Sequence, residues 1–116
     1  MGGSMNFLWE ITPEKVQNVI QKIVEVSRPR KLILFGSYVR GDTNSNSDLD
    51  ILVVTSNKIE SPRRESVRIR RALKGIVMSM DILVVPESKL EDLASVPGLI
   101  YREAIKNGRV VYESSG

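Results

Sequence analysis

The sequence contains no cysteine and no histidine. Without cysteine there is no disulfide framework, no thiolate metal site and no thiol nucleophile. Without histidine the commonest general base and the commonest zinc ligand are gone. Any metal ion must therefore rest on oxygen donors. The chain also lacks any apolar run near the roughly twenty residues a membrane span requires. There is no low-complexity segment and no internal repeat, although "DILVV" occurs at both 50–54 and 81–85. The start, Met1-Gly2-Gly3-Ser4, has no signal-peptide apolar region. It reads as a cloning remnant (1–4) before a native Met5, with 5–116 as a single domain and the cytoplasm as the default location.

What is present suits one globular domain with a real core. Its 116 residues are 41% hydrophobic and 27% charged, which is ordinary for a folded soluble chain. The formal charge of +3 permits an anionic substrate without demanding one.

Helical and strand patterns alternate along the chain. Thr12-Pro13-Glu14 is a helix start: a Thr cap, Pro in the first turn, and an acid at the positive dipole end. Val16, Val19, Ile20 and Ile23 follow at helical spacing, and "SRPR" at 27–30 stops the helix. The continuous apolar run 31–35 reads as a buried strand ending at Gly36. Residues 37–40 form the first turn of a short helix, with Tyr38 exposed, and 42–47 a polar turn. Residues 49–54 are a second strand. Ser61-Pro62 caps a second long helix running to about Lys74, before Gly75. Ile69, Ala72, Leu73 and Ile76 share its apolar face, and Arg63, Arg64, Arg70, Arg71 and Lys74 spread over the other. Residues 80–85 are a third strand, 89–94 and 98–106 short helices, Asn107-Gly108 a helix stop, and 109–113 a last strand. The pattern is α/β (α+β): a small sheet covered by helices.

Two carboxylates stand at the mouth of the second strand. Strand residues i and i+2 point the same way, so Asp48 and Asp50 aim into one space and repel each other. A divalent cation removes that cost, and Mg²⁺ takes carboxylates together with substrate phosphates. Gly36-Ser37 lies where a strand meets a helix start. Glycine permits close backbone approach, and the free N–H groups with the Ser37 hydroxyl make an anion cradle. A phosphate cradle beside a carboxylate pair suits a metal-bound nucleoside triphosphate. Asp81 opens the third strand as Asp50 opens "DILVV" in the second. If those strands are neighbours, Asp81 completes a three-carboxylate cluster able to hold two metal ions. Ser37 is not a covalent nucleophile, since no histidine or nearby lysine is placed to activate it.

Gly36, Ser37, Asp48 and Asp50 spell G-S-x(10)-D-x-D, with Tyr38–Ser47 as the ten intervening residues. This resembles the nucleotidyltransferase superfamily that includes DNA polymerase beta, and more closely the minimal nucleotidyltransferase (MNT) domains of prokaryotes. Arg40-Gly41 and Ser47 fit the same pattern, Asp81 sits where the family places its third carboxylate, and Ile100–Glu113 is similar to the usual MNT ending. The resemblance implies a nucleotidyltransferase fold, a small mixed sheet of about four strands flanked by helices. It implies that Asp48, Asp50 and Asp81 are catalytic and hold Mg²⁺, two ions in the active complex. Gly36, Ser37, Arg40 and Ser47 would bind the nucleotide, with ATP as substrate. Asp81 would also accept the proton of the attacking hydroxyl.

Such a short chain has little room for an acceptor. The MNT resemblance implies one from outside: a separately encoded, all-helical HEPN protein, the toxin of a toxin–antitoxin pair, modified by AMP on a tyrosine. Other classes stay open. One is a small-molecule nucleotidyltransferase of the aminoglycoside type, completed by oligomerising. Another is a non-catalytic subunit that neutralises its partner by contact. A homo-oligomer fits, whereas nucleic acid and membrane are not expected as partners. Arg40 has two readings, a phosphate contact or a pair with Asp42. The arginine-rich helix face reads first as a solvated face. The apolar positions Leu52, Val54, Leu83 and Val85 share strand faces with the aspartates, and own helices, a second copy or a partner must cover them.

Overall fold

The computed structural model describes residues 9–44, 46–98 and 100–114. The expected start at Met5 and the segment before it lie outside the described residues, as do Ser45 of the polar turn and Leu99. Helix α1 (Pro13–Ser27) begins as its sequence dictates: Thr12 Oγ1 accepts the Lys15 N–H at 3.2 Å, and Pro13 opens the first turn. It buries Val16, Val19 and Ile23 and ends on Arg28 in the left-handed region, whose N–H reaches the Val24 carbonyl at 3.0 Å. Strand β1 (Lys31–Phe35) follows, then the short helix α2 (Ser37–Arg40) and strand β2 (Leu49–Thr55).

Helix α3 (Pro62–Ala72) is capped by Ser61, whose hydroxyl accepts the Arg64 N–H at 3.3 Å. It stops two residues before the expected end. Tightened bonds from Lys74 to Arg71 and from Ile76 to Leu73 turn the chain into Gly75, which has φ 106°. Strand β3 (Met80–Pro86) passes directly into α4 (Glu87–Ala94), two residues earlier than the sequence pattern placed that helix. Helix α5 (Ile100–Asn107) and strand β4 (Arg109–Glu113) close the fold. Gly108 is required by space, since it has no positive φ. A Cβ there would collide with the Ala104 carbonyl and the Ile33 side chain, because the last turn of α5 sits directly on β1.

The four strands lie in the order β3-β2-β1-β4, with β1 antiparallel to both neighbours and β2 parallel to β3. This is the expected small mixed sheet. Strand alternation splits the core in two. Leu32, Leu34, Leu49, Ile51, Val53 and Ile82 face α1 and α3. Ile33, Phe35, Leu52, Val54, Leu83 and Val85 face α4 and α5, meeting Leu90, Leu93, Tyr101 and Ala104. The chain's own helices thus cover the apolar surface behind the aspartates. Among the described residues Glu65 is the one buried charge. It accepts the Ser27 hydroxyl at 2.5 Å and pairs with Arg68 at 3.3 Å, tying α3 to the end of α1.

Candidate functional site

The site lies where β1 ends and β2 and β3 begin. Gly36 joins β1 to α2 with φ 80° and ψ −156°, a conformation open to glycine alone. A Cβ on Gly36 would also overlap Asp50 Oδ2, so the turn and the carboxylate are pressed together. The contact follows from the register, which sets Phe35 opposite Asp50. In α2 the first helical bond runs from the Arg40 N–H to the Gly36 carbonyl at 3.1 Å, so the N–H groups of Ser37, Tyr38 and Val39 precede the ladder. Tyr38 is not exposed as expected. It is half-buried, packed with Val39 against the α1/α3 side of the core, and anchors the short helix.

Asp81 stands in register with Asp50 on the adjacent parallel strand. Asp50 and Asp81 share the sheet face that continues into Leu52, Val54, Leu83 and Val85, and Asp48 lies just before β2. Asp50 and Asp81 are half-buried and Asp48 is exposed. Burial first, then the charges of Asp81, Asp48 and Glu103, raise the Asp50 carboxyl from 3.8 to about 6, against the opposing pull of Arg40.

Glu103 was not foreseen. It lies on α5 and reaches the site only because β4 returns beside β1, a long-range pairing that no local spacing announces. Arg40 pairs with Glu103 at 3.0 Å and with Asp42 at 3.3 Å. Its pairing with Asp42 is therefore one of two, and both involve carboxylates. Ser47 closes the polar turn: its hydroxyl accepts the Asn44 N–H at 2.8 Å, and its own N–H reaches the Asn44 carbonyl at 3.1 Å.

The donor set is all oxygen and hard, which suits Mg²⁺. The part of the Asp50 shift that comes from repulsion by Asp81, Asp48 and Glu103 is a cost a divalent cation would remove. Among the described residues no three acidic side chains stand together as a preformed metal cage. A Mg²⁺ ion held by one or two carboxylates completes its coordination with phosphate oxygens and water.

A glycine turn against a strand-borne carboxylate pair, on a mixed four-stranded sheet, defines a nucleotidyltransferase. Residues 14–116 match the family described as "Polymerase beta, Nucleotidyltransferase", and the chain belongs to it. Two relatives come from Methanocaldococcus jannaschii. The protein named "Putative protein adenylyltransferase MJ0604" is 33% identical over 86 residues, covering 73% of this chain and 80% of its own. "Putative protein adenylyltransferase MJ0141" is 32% identical over 77 residues, covering 66% of this chain and 63% of its own. Two solved structures share the fold. A structure described as a "putative nucleotidyltransferase from Sulfolobus solfataricus" superposes with a TM-score of 0.58 at 20% identity, over 86% of this chain and 78% of that one. A structure described as a toxin-antitoxin with AMP-PNP superposes with a TM-score of 0.54 at 21% identity, over 85% and 74%.

Proposed function

We propose that this chain is a protein adenylyltransferase that uses ATP and Mg²⁺ to place AMP on a tyrosine hydroxyl of a helical HEPN partner, acting as the antitoxin of that pair in the cytoplasm. The observation that carries the reading is the register of Asp50 and Asp81 beside the Gly36-Ser37 turn. The names of the two archaeal relatives support protein as the acceptor. The toxin-antitoxin neighbour with AMP-PNP supports the partner class and the nucleotide.

Gly36 lets the backbone approach the triphosphate, and the Ser37 hydroxyl with the leading N–H groups of α2 binds its oxygens. Arg40 and Ser47 would contribute to the same nucleotide site. Asp48, Asp50 and Asp81 would hold the cation, which when bound neutralises the triphosphate charge and so favours departure of pyrophosphate. Asp81 takes the acceptor hydroxyl's proton. The oxygen then bonds to the α-phosphorus, the bond to the bridging oxygen breaks, and pyrophosphate leaves. Catalysis here is positioning and charge placement, with no covalent step on the protein.

Incubation with α-labelled ATP, Mg²⁺ and the helical protein of the neighbouring gene tests this. The label should appear on that protein, on tyrosine. The Asp48→Asn/Asp50→Asn double variant should stay folded and lose transfer by about 100-fold or more. Label on a small hydroxyl compound alone would replace the reading with a small-molecule enzyme, and complex formation without label would leave a contact-only subunit.

A further inference from the structure

The positive charge of this chain is concentrated on one element. Between Arg63 and Lys74 lie six cations and one acid, whereas the rest of the chain, with 11 cations and 13 acids, is net negative. The structure divides these cations by availability. Arg70 is committed inward, donating to the Ser66 hydroxyl and to the Ile82 carbonyl at the β3 edge, each at 3.4 Å. Arg68 is held by Glu65 at 3.3 Å and by the Val26 carbonyl. The Arg64 side chain meets Glu60, in a pair more than 80% exposed on both sides. Arg63 and Arg71 have no side-chain hydrogen-bond or ion-pair partner among the described residues.

Arg63, Val67 and Arg71 fall at i, i+4 and i+8, one line along α3, so the two arginines stand about 12 Å apart along the axis. Val67 lies between them and is 45% exposed, an apolar side chain in an otherwise cationic stripe. These three, with Ser61, Arg64 and Arg68, line a concavity of about 590 Å³. It lies on the α1/α3 side of the sheet, opposite the face that carries Asp50 and Asp81.

We propose that this groove is a docking site for an acidic amphipathic helix of a partner protein, one presenting two carboxylates about two turns apart with an apolar side chain between them. Charge complementarity and spacing carry the assignment. Each free guanidinium takes one carboxylate in the bidentate manner that suits arginine, and the central apolar residue covers Val67. A nucleic acid fits less well. Among the described residues no aromatic side chain lines the groove to stack on bases, and an apolar residue at its centre has no phosphate to meet. This site is separate from the adenylylation site, so the chain would hold a partner on one face while the other remains open for chemistry.

The test is an anisotropy titration of the full chain with a labelled helical peptide carrying Glu, Leu and Glu at i, i+4 and i+8. A peptide of identical composition with the two acids moved off that face is the control. The aligned peptide should bind about tenfold more tightly than the control, and Arg63→Glu/Arg71→Glu should remove that advantage while ATP binding is unchanged. Val67→Ala should weaken binding by a smaller factor. Equal affinity for both peptides, or undiminished binding by the double variant, overturns the proposal. Tighter, arginine-dependent binding of a single-stranded oligonucleotide of equal charge overturns it in favour of a nucleic-acid site.

Discussion

At the scale of single residues, Asp50 concentrates the tension in the site. It is wedged between the Gly36 turn and Asp81, where burial and three neighbouring carboxylates raise its pKa to about 6. The folded state therefore holds this proton more tightly than the unfolded chain, whose Asp titrates at the ordinary value of 3.8. Asp50 favours folding fully below about pH 4, and that contribution is lost as pH rises through 6. At pH 8 the ionised, crowded carboxylate is a net cost. Asp50→Asn should thus raise the stability of the nucleotide-free protein at pH 8 by about 1 kcal/mol once solvent screening is discounted, a few degrees in Tm. The gain should vanish below pH 4. Thermal melts of both proteins from pH 4 to 8 check this, and a gain that is constant across the range would assign it to something other than the proton. A candidate-site residue that destabilises its own fold is expected where a ligand supplies the missing countercharge.

At the scale of elements, the fold was legible wherever neighbours in sequence decide the structure. The apolar runs within 31–35, 49–54 and 80–85 became strands: β1 and β2 bury side chains on both faces, whereas β3, at the sheet edge, is mostly half-buried. Thr12 and Ser61 became caps because their hydroxyls meet first-turn N–H groups. Asp50 could be placed on the face of Leu52 and Val54 by the strand period alone. What stayed hidden depended on long-range pairing. The half-buried state of Tyr38 needs the core beneath α2, and the approach of Glu103 needs α5 laid across β1. The Arg40–Glu103 pair joins α2 to α5 beside the acid cluster. It occupies the guanidinium that the proposed function assigns to the triphosphate, and Glu103 adds one of the charges that crowd Asp50. Glu103→Gln should therefore bind Mg²⁺–ATP severalfold more tightly in a calorimetric titration, whereas weaker binding would make Glu103 a participant in holding the cation.

At the scale of the whole molecule, the charge distribution matters more than its total. A net charge of +3 hides a cationic helix on one side of the sheet and a net negative remainder. The carboxylates of the candidate site belong to that remainder, and Asp50 and Asp81 lie on the opposite face from α3. Two copies can therefore meet head to tail, the Arg63–Arg71 stripe of one against the acidic surface of the next, and such a contact is heterologous and does not close on itself. It is also poor: the acids around Asp50 offer Val67 little apolar cover. The expected result is weak, salt-sensitive self-association in the absence of a partner. Sedimentation at low ionic strength should show concentration-dependent growth beyond the monomer, and about 0.3 M salt, where the screening length falls below 10 Å, should abolish it. The Arg63→Glu/Arg71→Glu variant should be monomeric in both conditions, and saturating ATP with Mg²⁺ should weaken the contact in the wild-type chain by covering its acidic half. Association that persists in high salt, or in the arginine variant, would instead place the contact on apolar surface, where Val96, Ile105 and Val110 are large exposed side chains able to supply it.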